Sequence, residues 1–578
     1  MDRRDFLKGL TALGVAASMA RLSGPVAPAW AAPEKGGTAE NVASAGPYNM
    51  ILIIRDELSY RLLTPEGTRP PYMYSLQERG TSFEHHYIAA AMCTPSRGAM
   101  FSGQPPQING VFDQMELGYV PSLRADRPSM GTIMKQLGYT TAYYGKFELL
   151  RDIITPSVKI NYTEALTKYG FDEFAPDGDK VGSPGQGYRT DQYSTALAVR
   201  WLRTNAHKLN RQGKPWFLVL SLVAPHDIMY GNVNPKIQVP LPGVTDTPVP
   251  DNLIYKKDWR APLSPSHFQP IDEHGRPPAQ MQYYLGWSKA FGNIPTKNVD
   301  MWNAYYNYYL NLIEDGTQNL QLLLNALDNL DLWKNTVVVS TADHGELAGS
   351  HGGLRGKGPF PYEQESHVPF IIVHPQCPGG KKCNALTSHI DLVPTLAGLS
   401  GMPQDRRQAV TKGLPGHDFS VLLKDPEKAP VNAIRKGVLF NYVGLQTIEG
   451  KYLAKACQYI GEGKWVPPLA KVHPDLSKRG FLSYTFDGRY KFARYYAPAQ
   501  FNSPTTLKQI LDYNDIELFD LQTDPNEMNN LGSEAEKNKD IIVHMNGLLN
   551  DLMAHEVGVN DGRFLPKAVR PKGPVRFK

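Results

Sequence analysis

Cys93 opens the stretch Cys93-Thr94-Pro95-Ser96-Arg97, which follows Ala89-Ala90-Ala91-Met92 and runs on from Gly98 to Gly103. A cysteine near an arginine at a helix start can serve as a nucleophile of lowered pKa. Acidic and imidazole groups stand at the ends of apolar runs elsewhere. Asp56 and Glu57 follow Tyr48-Asn49-Met50-Ile51-Leu52-Ile53-Ile54, with Arg55 between. Asp343 and His344 follow the run Thr336 to Thr341. Continuous apolar runs read as central parallel strands covered on both faces. Open α/β sheets place their sites at the carboxyl ends of such strands.

The Cys93–Gly103 stretch resembles the signature of the sulfatase family, Cys-x-Pro-x-Arg followed by a Gly-terminated helical turn. Gly138-Tyr139-Thr140-Thr141-Ala142-Tyr143-Tyr144-Gly145-Lys146 resembles its second signature. The likeness continues through Ser388 to Thr395 and Leu518 to Leu531, so it spans nearly the whole chain from Asn49.

The resemblance implies that a formylglycine-generating enzyme converts Cys93 to formylglycine. The hydrated aldehyde then carries two hydroxyls, one to attack sulfur and one to expel sulfate. By the same likeness Arg97 holds the modified residue and nearby carboxylates, and Lys146 supplies positive charge to nucleophile and ester. His226, in Ala-Pro-His, faces the substrate and protonates the leaving oxygen, and Lys357, in Gly-Lys-Gly, binds the sulfate oxygens. The implied metal ligands are Asp56, Glu57, modified Cys93, Asp343 and His344. Such a set suits a hard divalent cation, Ca²⁺ first, while the imidazole leaves room for Mn²⁺.

Two departures stand out. The family has Gly-Lys-x-His after its second signature, and this chain has Gly145-Lys146-Phe147-Glu148. Glu148 is therefore expected to replace the missing base, with His85 or His86 as substitutes. Arg55 stands where a small residue is usual and is read as screening the acidic cluster. His351 is a candidate to line the same pocket.

The expected reaction is hydrolysis of an organic sulfate ester, of a sugar or another small molecule. A phosphonate or phosphate ester hydrolase on the same site is the alternative, since those substrates are also tetrahedral anions. A catalytically silent carbohydrate-binding relative is a further one. Tyr283, Tyr284, Trp287 and Trp302 would suit an aryl group or a sugar face, or serve as core.

Positioning these groups calls for an α/β fold: a large mixed, mostly parallel sheet sandwiched by helices, alkaline-phosphatase-like by resemblance. Strands are expected at Tyr48–Ile54, Thr140–Tyr144, Trp216–Val223, Thr336–Thr341 and Pro369–Val373. Helices are expected at Ser129–Leu137, about Asp191–Leu209 and Asp300–Leu330. The proline- and aromatic-rich span 232–298 reads as loops. After Ile434, short strands with glycine turns predict a small antiparallel sheet, closed by a helix near 535–554. The division is a signal peptide at 1–31, a catalytic domain at 32–433, a small subdomain at 434–560 and a loose tail at 561–578.

The start of the chain carries Arg3-Arg4-Asp5-Phe6-Leu7-Lys8, a modest apolar stretch and Ala29-Trp30-Ala31. That is the grammar of a twin-arginine export signal, which implies the Tat machinery as a partner and a periplasmic or secreted enzyme. No later apolar run is long enough to span a bilayer. The net charge of +5, small for 578 residues, gives no sign of nucleic-acid binding. With 4 cysteines there is no disulfide scaffold, though Cys377 and Cys383 could close a small loop and Cys457 reads as packing. Oligomeric state is not legible.

Overall fold

The computed structural model describes residues 47–577, apart from 63–70, 155–163, 177–184, 235, 237–244, 247–249, 274 and 463–473. The signal-peptide reading therefore lies outside the described residues. Eight strands form the main sheet: β1 (Asn49–Arg55), β2 (Thr81–Tyr87), β3 (Thr140–Gly145), β4 (Glu173–Ala175), β5 (Trp216–Leu222), β8 (Thr336–Ala342), β9 (Phe370–Val373) and β10 (Lys381–Ser388). The short β6 (Gly231–Asn232) and β7 (Thr245–Asp246) pair beside it. The main order is β10-β2-β9-β8-β1-β5-β3-β4. Only β9 runs antiparallel to its neighbours, which makes the sheet mixed and mostly parallel.

The central strands are buried at every position and mostly apolar, because both faces are covered. Ile51 and Ile53 of β1 enter one core with Leu218 and Leu220, against the helix Val299–Asn329. Met50, Leu52 and Ile54 enter the opposite core with Phe217 and Val219, against the helix Leu392–Leu399. The twofold side-chain alternation of a strand thus feeds two helical layers.

Four antiparallel strands make the second sheet: β11 (Val438–Tyr442), β12 (Phe481–Phe486), β13 (Tyr490–Tyr496) and β14 (Asp515–Asp520). Leu439 and Phe492 face the helix Lys539–Glu556, while Phe440 and Tyr484 face the main core.

Several expectations need correction. The span read as loops contains a 14-residue helix, Pro278–Phe291. Its aromatics and Gly286 mask helical periodicity, but Pro278 suits the first turn and the helix is pinned by burial. Strands β2 and β10 escaped notice because TSFEHHY and KKCNALTS are polar. The tail is docked: Leu565 and Val569 are buried with Phe112 and Phe501. Cys377 and Cys383 are free thiols, the second buried on β10. Arg55 is fully buried and donates to the carbonyls of Ala224 and Ile313, tying β1 to the long helix.

Candidate active site

Four adjacent strands, in the order β8-β1-β5-β3, release their chains at one edge of the sheet. Asp343 and His344 leave β8, Asp56 and Glu57 leave β1, His226 follows β5 and Lys146 leaves β3. Parallel pairing puts all these carboxyl ends side by side. Gly145 is obligatory there: its φ is 99°, and a Cβ would lie 1.9 Å from the Ser221 carbonyl oxygen.

Cys93 begins the helix Cys93–Ser102, every residue of which is buried. Met92 offers no side-chain cap, but the Thr94 N–H finds Gln114 Oε1 at 3.1 Å. Pro95 is tolerated in this first turn, where its missing N–H costs nothing. Gly103 closes the helix with a left-handed φ of 65° and an N–H bond to the Ala99 carbonyl.

Arg97, one turn on, is the hub. Its Nε donates to Asp343 Oδ2 at 2.9 Å and its Nη2 to Asp56 Oδ2 at 3.2 Å. Its Nη1 donates to the Lys146 carbonyl at 2.9 Å and Ser221 Oγ at 3.0 Å. Lys146 Nζ bridges Asp56 Oδ2 and Glu148 Oε2, the latter at 2.9 Å. Lys357 Nζ donates to Glu57 Oε2 at 2.8 Å.

The thiol is not the activated nucleophile that a neighbouring arginine suggested. Arg97 spends its donors on oxygens, and burial pushes the Cys93 thiol well up, against the pull of Lys146 and Lys357. Burial alone would also raise Asp56, but Lys146, His226 and Arg97 hold it well below the usual carboxylate range. Burial pushes Glu57 up, Lys357 pulls it down, and Glu346 adds to the rise. Lys357 is raised: burial opposes its charge, and Cys93, Glu57 and Asp56 outweigh burial.

Asp56, Cys93, Asp343 and His344 offer donor atoms all within 4.8 Å of one another. A second such group joins Asp56, Glu57 and His226. The imidazole geometry fits a metal. His344 Nδ1 lies 3.0 Å from the Gly345 carbonyl, which can only accept, so Nδ1 carries the proton. Nε2 then presents its lone pair toward Cys93 Sγ at 3.0 Å and Asp56 Oδ1 at 3.6 Å. Burial lowers the His344 pKa and keeps the ring neutral, as a ligand requires. Glu57 Oε1 is buried without a hydrogen-bond partner, which leaves one carboxylate oxygen for a cation.

The structure thus gathers Asp56, Glu57, Cys93, Arg97, Lys146, Glu148, Asp343, His344 and Lys357 by direct contacts, and His226 by its place beside Asp56. It does not bring His351 there. That ring stacks on Tyr362 with centroids 3.5 Å apart, turned away by a backbone φ of 52°. His85 and His86 sit on β2 against His367 and Phe370. Trp302 is core, packed on His267 and Tyr305. Sequence reading missed Thr94, whose hydroxyl donates to Glu148 Oε1 at 2.8 Å, and Ser221, which braces Arg97. A polar residue inside the apolar strand WFLVLSL was the available signal for Ser221.

A sulfatase family model matches residues 48–402. Arylsulfatase K of Canis lupus familiaris is 26% identical over 409 residues, 65% of this chain and 68% of that one. A solved structure described as BT4656 in complex with its substrate D-glucosamine-2-N,6-O-disulfate superposes with a TM-score of 0.62 at 18% identity, covering 89% of this chain and 98% of that one. A phosphonate monoester hydrolase of Agrobacterium radiobacter gives 0.61 at 18% identity, covering 88% and 96%. The two structures share the fold. With more than half of its length matched by the family model, this chain belongs to the sulfatase family and is a sulfatase, an enzyme that hydrolyses sulfate esters.

Proposed function

We propose that this sulfatase cleaves an organic sulfate ester, of a sugar or another small alcohol, to alcohol and sulfate, with Cys93 converted to formylglycine. The carrying observation is the placement of Cys93 Sγ, 3.0 Å from His344 Nε2 and inside one donor set with Asp56 and Asp343. Asp56, Asp343 and His344 would hold a divalent cation, with Glu57 and the modified residue 93 completing it and Ca²⁺ the expected ion. The cation would offset negative charge on the transferring group, and the hydrated aldehyde would supply attacking and expelling hydroxyls.

The chain's own residues have separate tasks. Arg97 fixes both aspartates in register with the nucleophile helix. Glu148 accepts from Thr94, the residue after the nucleophile, and takes a proton from the attacking hydroxyl. Lys146 pairs with that carboxylate and Lys357 receives sulfate oxygens. His226 gives a proton to the departing alcohol. Residues 1–31 support delivery outside the cytoplasm. No helix among the described residues is long and apolar enough to cross a membrane.

Two measurements test this reading. The mass of the Cys93 peptide from exported enzyme should show aldehyde in place of thiol. Aryl sulfate, phosphate and phosphonate monoesters assayed side by side should rank sulfate first. Fully active enzyme with only unmodified Cys93, or a phosphonate preference, overturns it.

A further inference from the structure

A narrow cavity of about 60 Å³ opens beside the charged cluster, with His226 and Lys357 in its wall. The rest of the wall is mainly apolar. Met229 and Tyr230 come from the turn after β5, Trp287 and Phe291 from the helix Pro278–Phe291, and Leu453 from the helix Gly450–Gly461.

This wall is built as one piece with the sulfate end. Trp287 and Phe291 stack with centroids 4.3 Å apart, and Tyr283 backs Trp287 at 5.1 Å. Gly356, next to Lys357, has a φ of 73°, and a Cβ there would lie 2.4 Å from the Trp287 ring. The indole therefore sits directly on the backbone that presents the lysine. Gly286 lies against Gly450 and Leu453 with similar closeness, which draws the two wall helices together.

Charge is distributed just as unevenly. Among the described residues lining the cavity, Lys357 is the one lysine or arginine, and Glu57 already holds it at 2.8 Å. The polar remainder is Gln114, Gln446 and the acid Glu116. Among the described residues of this wall, a second sulfate or a carboxylate on the alcohol would meet no lysine or arginine besides Lys357. Sugar hydroxyls would be stripped of water against indole, phenyl and thioether groups with few partners in return.

Resting on the sulfatase reading above, we infer that the alcohol is compact, uncharged and largely apolar: the substrate is the monosulfate of a hydrophobic ring alcohol, not a sulfated oligosaccharide. Trp287 is its specificity-determining contact.

The test must separate pocket preference from leaving-group reactivity. Cyclohexylmethyl sulfate and glucosamine 6-sulfate are both primary alkyl sulfates, so their comparison isolates the alcohol. With aldehyde at position 93 verified by mass, kcat/KM for the first should exceed the second by ~100-fold or more, the scale of discrimination by apolar contacts. Trp287→Leu should erode that ratio about tenfold, through a raised KM for cyclohexylmethyl sulfate. Equal or reversed preference in the native enzyme overturns the inference and leaves the sulfatase reading standing. Hydrolysis of no sulfate, aryl included, by converted enzyme overturns both.

Discussion

Glu148 Oε2 lies 2.9 Å from Lys146 Nζ, two residues back on the loop leaving β3, and Lys146 in turn reaches Asp56. Glu148 takes a left-handed φ of 55° to make this contact, a conformation uncommon for a residue with a Cβ. Its other oxygen accepts from Thr94. The carboxylate is thus tied to the metal-side aspartate and to the turn that carries the nucleophile. Glu148→Gln keeps the shape and removes the base. It should lower kcat about 10²-fold or more while Cys93 conversion and the thermal midpoint persist. Near-native turnover across the pH range would remove Glu148 from the mechanism. Cys93→Ala should abolish turnover.

In the proposed site Asp343 holds the cation, and its hydrogen bonds make it part of the scaffold. Its Oδ2 accepts from Arg97 at 2.9 Å, and its Oδ1 accepts the backbone N–H of Glu57 at 3.1 Å and of His344 at 2.9 Å. Asp343→Asn should lose bound metal, measured by elemental analysis of purified protein, and should lose activity with it. Chelation of the native enzyme should reproduce the loss of activity. Metal content unchanged in Asp343→Asn would show that the cation sits elsewhere.

Lys491 joins the second sheet to the catalytic layer. Its buried Nζ donates to Glu363 and Glu527 at 2.7 Å each and to the Pro361 carbonyl at 2.8 Å. Lys491→Met takes the shared cation from two buried carboxylates: Glu363 keeps Arg61 and His367, and Glu527 keeps the backbone N–H of Glu363. The cost should be about 3–5 kcal/mol, the usual price of removing one partner of a buried ion pair. Urea denaturation measures it, and a loss below about 1 kcal/mol would show that the remaining partners suffice.

His374 gives stability a pH dependence. Burial pushes its pKa down to about 4, against roughly 6.5 in the unfolded chain. Between these values the unfolded state binds the proton and the folded state does not. Its contribution is therefore full above about pH 6.5 and falls as pH drops toward 4. The midpoint temperature should drop less between pH 7 and pH 5 in His374→Gln than in the native protein. An identical drop would mean that other groups carry the acid response.

Export is expected to need the arginine pair. Arg3→Lys with Arg4→Lys should leave unprocessed enzyme in the cytoplasm. Normal periplasmic accumulation of that variant, followed by immunoblotting of fractions, would refute the twin-arginine reading.

The sequence by itself determined the chemistry-bearing residues and the strands that carry them. Apolar runs such as MILII and VVV can satisfy their side chains only in the middle of a sheet, and polar groups at their ends must then lie on its edge. Asp56, Lys146, Asp343 and His344 were legible for that reason, and Cys93 with Arg97 by their motif. Only the tertiary structure decided who meets whom. Strand order places β8, β1, β5 and β3 side by side, although Arg55 at the end of β1 lies 287 positions from Ala342 at the end of β8 and 167 from Leu222 at the end of β5, and no local pattern encodes that order. It turned Glu57 onto Lys357, aimed Arg55 at carbonyls and turned His351 onto Tyr362. It also brought the helix Pro278–Phe291 against the helix Gly450–Gly461 to build the apolar wall. Packing across long sequence separations makes these choices, because a side chain's partner is set by the nearest surface in space and not by its neighbours along the chain.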